Sequence, residues 1–234
     1  MNFPRFLSCF FVVSFCLVCV NLSGLDSSSS FLERTTDDVV LRQHFWVFRE
    51  LPPGVVRDEP YNPEEVLEKY ALYIMQLSVF GGRVTYTPSD KTRGIEEFFE
   101  FIPRYPIKEP DPSFTLERVC YDDENKISAW ASYRIDSSNS SYLRYWQMVN
   151  PKKYPADGYG SLDKGLEGVF EAYRDGMKNA LRNYARTIVK NKPREIRADI
   201  CIYGVPRLTV NAGRYEAKFE VLIKIEEIIP YTVF

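Results

Sequence analysis

The sequence predicts an α+β fold in which antiparallel sheets carry a long helix on one face. Three observations lead there. Tyr, Phe and Trp make up 15% of the chain, and aromatic side chains favour strands and bury large areas. Residues 215–225 alternate: Tyr215, Ala217, Phe219, Val221, Ile223 and Ile225 fall on one face. Glu216, Lys218, Glu220, Lys224 and Glu226 fall opposite, interrupted only by Leu222. Over residues 162–190, Leu162, Leu166, Val169, Phe170, Tyr173, Met177, Leu181, Tyr184 and Ile188 recur at steps of three and four, which is one face of a helix.

From the N-terminus, Arg5 precedes an apolar run over residues 6–20, broken by Ser8 and Ser14, and Asn21-Leu22-Ser23-Gly24 follows. A charge, a short apolar run and a small-residue exit make a secretory signal over residues 1–24. The run is shorter than a membrane span, although an uncleaved N-terminal anchor is the alternative. Residues 25–37 hold little for a core and read as a flexible spacer. Residues 39–48 suggest a first strand, stopped by Pro52-Pro53-Gly54. A first helix follows: Asn62 suits its cap, Pro63 its first position and Glu65 a capping box. Val66, Tyr70, Tyr73, Ile74 and Leu77 form its apolar face, and Gly81-Gly82 ends it.

Residues 83–87 alternate as a strand does. Residues 94–102 are acidic and Phe-rich, and Pro103, Pro106, Pro110 and Pro112 interrupt regular structure up to Ser113. Residues 114–121 and 126–135 form a hairpin around Asp122-Asp123-Glu124-Asn125. Residues 142–148 read as another strand and 151–160 as a Pro/Gly-rich connector, with Ser161 capping the long helix. That helix spans roughly 28 residues, about 42 Å. Residues 198–203, extended toward Val210, and the alternating strand close the fold around Asn211-Ala212-Gly213.

This order suggests an internal duplication of a helix-hairpin unit. The first copy would occupy residues 38–155, with a Pro-rich insertion, and the second residues 156–234. Both place a cysteine, Cys120 or Cys201, on the strand after the helix.

Composition narrows the function. The 30 Lys+Arg and 32 Asp+Glu nearly balance, and losing Arg5 would leave the mature chain at about −3. A general nucleic-acid binder would be basic, so no nucleic-acid partner is expected. Cys9, Cys16 and Cys19 lie in the signal, so only Cys120 and Cys201 remain, both expected to be reduced and buried. With His44 as the single histidine, no metal site or cofactor is anticipated. There is no phosphate loop, zinc-protease motif or nucleophile elbow, and the catalytic residue set is empty. Gly158-Tyr159-Gly160-Ser161 reads as a plain start to the helix, and Glu96-Glu97 and Asp122-Asp123 as solvated acids.

Two surfaces remain. Arg174, Lys178, Arg182, Arg186 and Lys190 recur every four residues and draw a basic strip along the helix. Such a strip is either a solvated face complementing the helix dipole or a docking strip for an acidic partner or anionic lipid. Tyr142, Tyr145 and Trp146, with Arg144 among them, form a candidate aromatic platform for a sugar, or one face of a core strand. Gly168, Ala172 and Gly176 invite the close approach of another backbone, favoured as intrachain packing.

The chain resembles the uncharacterised exported proteins of treponeme-type bacteria, through its N-terminal signal without an Ala-x-Ala exit. Residues 171–189 and Tyr215-Glu216-Ala217 leading into the last strand also resemble the helix-plus-hairpin module of LPP20-type envelope and flagella-associated proteins. This second likeness covers under a third of the chain and lacks that family's lipidated cysteine. It implies a structural or assembly role without catalysis. The expectation is therefore a periplasmic or envelope-associated, non-enzymatic protein that binds another envelope protein, with weak contact to an anionic membrane surface. A binding module for a small apolar or carbohydrate ligand is the alternative.

Overall fold

The computed structural model describes residues 32–34, 39–53, 55, 60–105, 110–122, 124–137 and 139–231. The expected signal, and all of the expected spacer except residues 32–34, lie outside them. Among the described residues, nine strands form two antiparallel sheets with three α-helices, so the α+β class is as expected.

In the first sheet, β1 (Leu32–Arg34), β2 (Val39–Phe48), β6 (Lys126–Ile135) and β5 (Phe114–Asp122) lie side by side in that order. β2 and β6 pair without a break from Val39↔Ile135 to Phe48↔Lys126, which puts Leu41, Phe45, Val47, Ile127, Ala129, Ala131 and Tyr133 on one buried face. β1 corrects the spacer reading: backbone pairing with β2 organises three residues that no hydrophobic pattern announces.

The second sheet runs β4 (Phe98–Pro103), β3 (Gly82–Thr87), β8 (Glu195–Asn211), β9 (Arg214–Ile229) and β7 (Lys152–Ser161). Its β8–β9 hairpin turns on Ala212 and Gly213, both at positive φ (49° and 72°), the two-residue turn that matches strand twist. Tyr215, Ala217, Phe219, Val221 and Ile223 are buried as the alternation requires.

Helix α1 (Pro63–Val79) is capped by Asn62, whose side chain accepts from the Glu64 and Glu65 amides at 3.2 and 3.4 Å. It lies between the first sheet and the long helix α3 (Leu166–Ile188). An aromatic chain crosses the molecule. Phe45 meets Tyr70 edge-on at 5.1 Å, the Tyr70 and Tyr173 hydroxyls pair at 2.8 Å, and Tyr173 packs on Phe219 at 5.1 Å. Burial pushes both of these phenols above their usual pKa, so they stay protonated and hydrogen-bonded.

α3 lays Tyr173, Met177 and Leu181 into the core, with Leu166, Phe170 and Tyr184 partly buried at its margin. Its small residues pack within the chain, as expected. Gly168, Ala172 and Gly176 lie against Gly158 and Gly160 of β7, so closely that a Cβ on either strand glycine would strike helix backbone.

Three local assignments are corrected. Residues 142–148 are helical, within α2 (Ser140–Met148), because Tyr142, Tyr145 and Trp146 also satisfy a helical period and seven residues do not separate the two. Residues 152–161 form the edge strand β7, where Pro155 is tolerated and glycines make room for α3. The Gly158-to-Ser161 run is therefore strand, and the expected unit boundary at 155/156 falls inside it. Ser161 does not cap α3; a 3-10 turn at Leu162–Lys164 and Gly165 precede that helix.

The two halves share one strand order. β2, α1, β5 and β6 place the last strand between the first and the second, and β7, α3, β8 and β9 do the same. The intervening β3–β4 hairpin pairs with β8 and so extends the other sheet.

Candidate functional site

The basic strip divides into two parts. Its first three cations are engaged. Arg174 pairs with Glu167, and Lys178 reaches Asp175 at 3.1 Å and Glu97 at 3.3 Å. Arg182 stands 3.7 Å from Glu97 and donates to Asn179 Oδ1 at 2.9 Å. Arg186 and Lys190 are exposed and have no ion pair among the described residues.

These last residues border an open cleft of about 410 Å³ where α3 ends. Ala185, Pro193 and Ile196 form an apolar floor, and Pro88 and Ser89, just after β3, form the far wall. Arg182, Arg186, Lys190 and Lys192 surround it, with Glu97 as the one carboxylate in the lining. Lys192 Nζ donates to the Ser89 carbonyl at 2.6 Å and so ties the two walls together.

Glu97 belongs to the wall. Tyr86 donates its hydroxyl to Glu97 Oε1 at 2.8 Å. Burial opposes ionisation of Glu97, but that hydrogen bond and the charges of Lys178 and Arg182 outweigh it and hold its carboxyl below the usual value. Burial, and then the same Glu97 bond, push the Tyr86 phenol well up. Glu97 is thus a fixed anion that, with Asp175, offsets Lys178 and Arg182, while Arg186 and Lys190 have no ion pair among the described residues. A helix C-terminus carries roughly −0.5 of an elementary charge. Arg186, Lys190 and Lys192 together exceed what that dipole can offset, so the cleft is electropositive.

Sequence reasoning found the strip but missed Tyr86, Ser89, Glu97 and Lys192. Tyr86, Ser89 and Glu97 lie about 90 residues before the strip and reach it only because β3 pairs with β8. The available signal was the apolar run of residues 98–102, broken only by Glu100, which is consistent with a strand beginning just after Glu97.

The aromatic candidates are brought together but make no exposed platform. Trp146 is buried. Tyr142 packs edge-on against Phe80 at 4.9 Å. Tyr145 donates to Asp199 Oδ2 at 2.6 Å beneath the Arg104 guanidinium, 4.2 Å from its ring. Asp199 also pairs with Arg104, and Lys224 donates to the Tyr145 hydroxyl at 3.4 Å. This cluster fastens α2 to the second sheet.

Among the described residues the two cysteines, Cys120 and Cys201, are free. Cys201 is buried, donating to the Ser78 carbonyl at 3.2 Å, and desolvation pushes its thiol well up. Cys120 is exposed, against expectation: a bulge at Arg118, with φ at 55°, breaks the register of edge strand β5. His44 is exposed on the outer face of the first sheet, 5.4 Å from the Trp130 ring. Among the described residues no group of three or more His, Cys, Asp or Glu side chains is placed to hold a metal ion, and no helix is long and apolar enough to cross a membrane.

Fold and site together define an α+β protein with two antiparallel sheets, a central helix and a cationic cleft. A protein-family model matches residues 27–231, and the chain belongs to that family. It is 28% identical over 204 residues to an uncharacterized protein of Treponema pallidum (strain Nichols), covering 86% of this chain and 85% of that protein. No solved structure matches the chain.

Proposed function

We propose that this is an exported, envelope-associated interaction protein whose cationic cleft holds an acidic segment of another envelope protein. One observation carries the reading: Arg186 and Lys190, without an ion pair among the described residues, stand with Arg182 and Lys192 around one open cleft with an apolar floor. Protein surfaces that engage acidic partners combine such charge with a small apolar base. Export rests on the pattern of residues 1–24, and an envelope role also on the likeness of residues 171–189 to LPP20-type modules. Weak contact with anionic lipid would use the same cations. The recurrent strand order supports descent from a duplicated β-α-β-β unit, a leading strand longer than the helix-hairpin suggested by the sequence. The sugar-binding alternative loses its surface, because Tyr142, Tyr145 and Trp146 face inward contacts.

The test is capture from the organism's own envelope fraction with the mature chain and with Arg186→Glu/Lys190→Glu. The reading expects a partner retained by the parent and lost by the variant, with both proteins equally stable. A partner retained equally by both would place the binding surface elsewhere.

A further inference from the structure

We propose that the acidic segment docks as an extended strand added to the free edge of β4. This rests on the cleft being the docking site and specifies how the partner enters it. β4 ends the second sheet. It pairs with β3 from Gly82↔Pro103 to Thr87↔Phe98, and among the described residues no strand pairs with its other side. Natural edges are blunted by proline, lysine or bulges. The opposite edge, β7, carries Lys152, Lys153 and Pro155, whereas β4 has no proline before Pro103 and Glu100 as its only charge.

The two faces of β4 differ. Phe98 and Ile102, across from Thr87 and Arg83, are 51% and 54% exposed. Phe99 and Phe101, across from Tyr86 and Val84, pack against the core on the side of α3. Glu97 shares that second face, and Lys178 and Arg182 reach it there. Beyond Glu97 the cations continue as Arg186 and Lys190 along the cleft. A strand laid beside β4 alternates in the same way. Its side chains on one face would lie beside Phe98, Glu100 and Ile102, and those on the other, past Glu97, would meet the cations of α3. The occupant is therefore a segment alternating apolar and acidic residues. β4 has 6 residues. At about 3.3 Å each they span roughly 20 Å, so a segment of about ten residues covers the edge and enters the cleft.

The experiment adds two synthetic decapeptides to the full chain, one alternating Glu and Val and one of Glu alone. It reads affinity together with amide hydrogen exchange. The expected result is that the alternating peptide binds at least about tenfold more tightly and slows exchange across residues 98–102. Phe98→Ser/Ile102→Ser should weaken it several-fold, and Arg186→Glu/Lys190→Glu should abolish it. If the alternating peptide binds without protecting β4, or no better than the Glu peptide, strand addition is wrong and the cleft reading stands. If neither peptide binds, the cleft reading falls too.

Discussion

Gly160→Ala should be among the most damaging small changes in the protein. A Cβ at Gly160 would lie 2.8 Å from the Ala172 amide nitrogen and inside any allowed contact with the Gly168 carbonyl. Ordinary carbon contacts are roughly 3.5–4.0 Å. Both obstacles are backbone atoms of α3, so no side chain can rotate away and the helix must lift from β7. Overpacking costs about 1–3 kcal/mol where neighbours can adjust. Here they cannot, and lifting α3 also loosens Ala172 and Gly176 against the strand, so about 3 kcal/mol or more is expected. The reduced freedom of the unfolded chain returns only about 0.4–1 kcal/mol. Gly168→Ala should behave likewise despite the ~1 kcal/mol that alanine gains in a helix, since its Cβ would meet the Ser161 carbonyl. The control is Gly94→Ala, which meets nothing within 4 Å and carries only the cost of its positive φ, about 1 kcal/mol. Urea denaturation, with a slope of about 1–3 kcal/mol per molar, would read the Gly160 change as a midpoint shift of about 1 M or more. A Gly160→Ala protein as stable as its parent would refute the close crossing of α3 and β7.

Other outcomes follow from the same geometry. Leu181→Ala, in the core face of α3, should cost about 2–5 kcal/mol, while Arg182→Ala should cost about 1 or less; equal losses in denaturation would misassign the helix faces. In a chain starting at Leu25, Cys120 should react with a maleimide in the native state and Cys201 only after unfolding, as counted by mass spectrometry. Burial opposes ionisation of Asp199, but hydrogen bonds from Arg104 and Tyr145 and the Arg104 charge hold its carboxyl below 3.8 in the folded state. Its contribution is therefore complete above that value and lost as pH falls through the lower folded one. Acid titration of stability should show a shallower decline for Asp199→Asn, which is also weaker at neutral pH. On the proposed export, N-terminal sequencing of the protein should find a start near Leu25; a start at Met1 would mean an anchored chain.

The legible parts of the fold were those whose burial repeats over many residues. Residues 215–225 and the α3 stripe each repeat their pattern long enough to exclude other periods, and Asn62-Pro63 marks a helix start by local chemistry alone. β7 was hidden because its buried side is built from Ala156, Gly158 and Gly160, chosen for the closeness of α3 and not for hydrophobicity. α2 was hidden by its brevity, and β1 by relying on main-chain pairing. The cations of the site were visible as a four-residue repeat. Its acid was not, because Glu97 comes from a hairpin inserted between α1 and β5 that joins the distant sheet. No local pattern encodes that pairing.

The central question is whether the cleft holds an acidic partner by Arg186 and Lys190. Calorimetric titration of the captured partner into the mature chain, from about 50 to about 500 mM salt, tests this most directly. Affinity should fall at least about tenfold across that range and vanish in Arg186→Glu/Lys190→Glu. An affinity indifferent both to salt and to the charge reversal would contradict it.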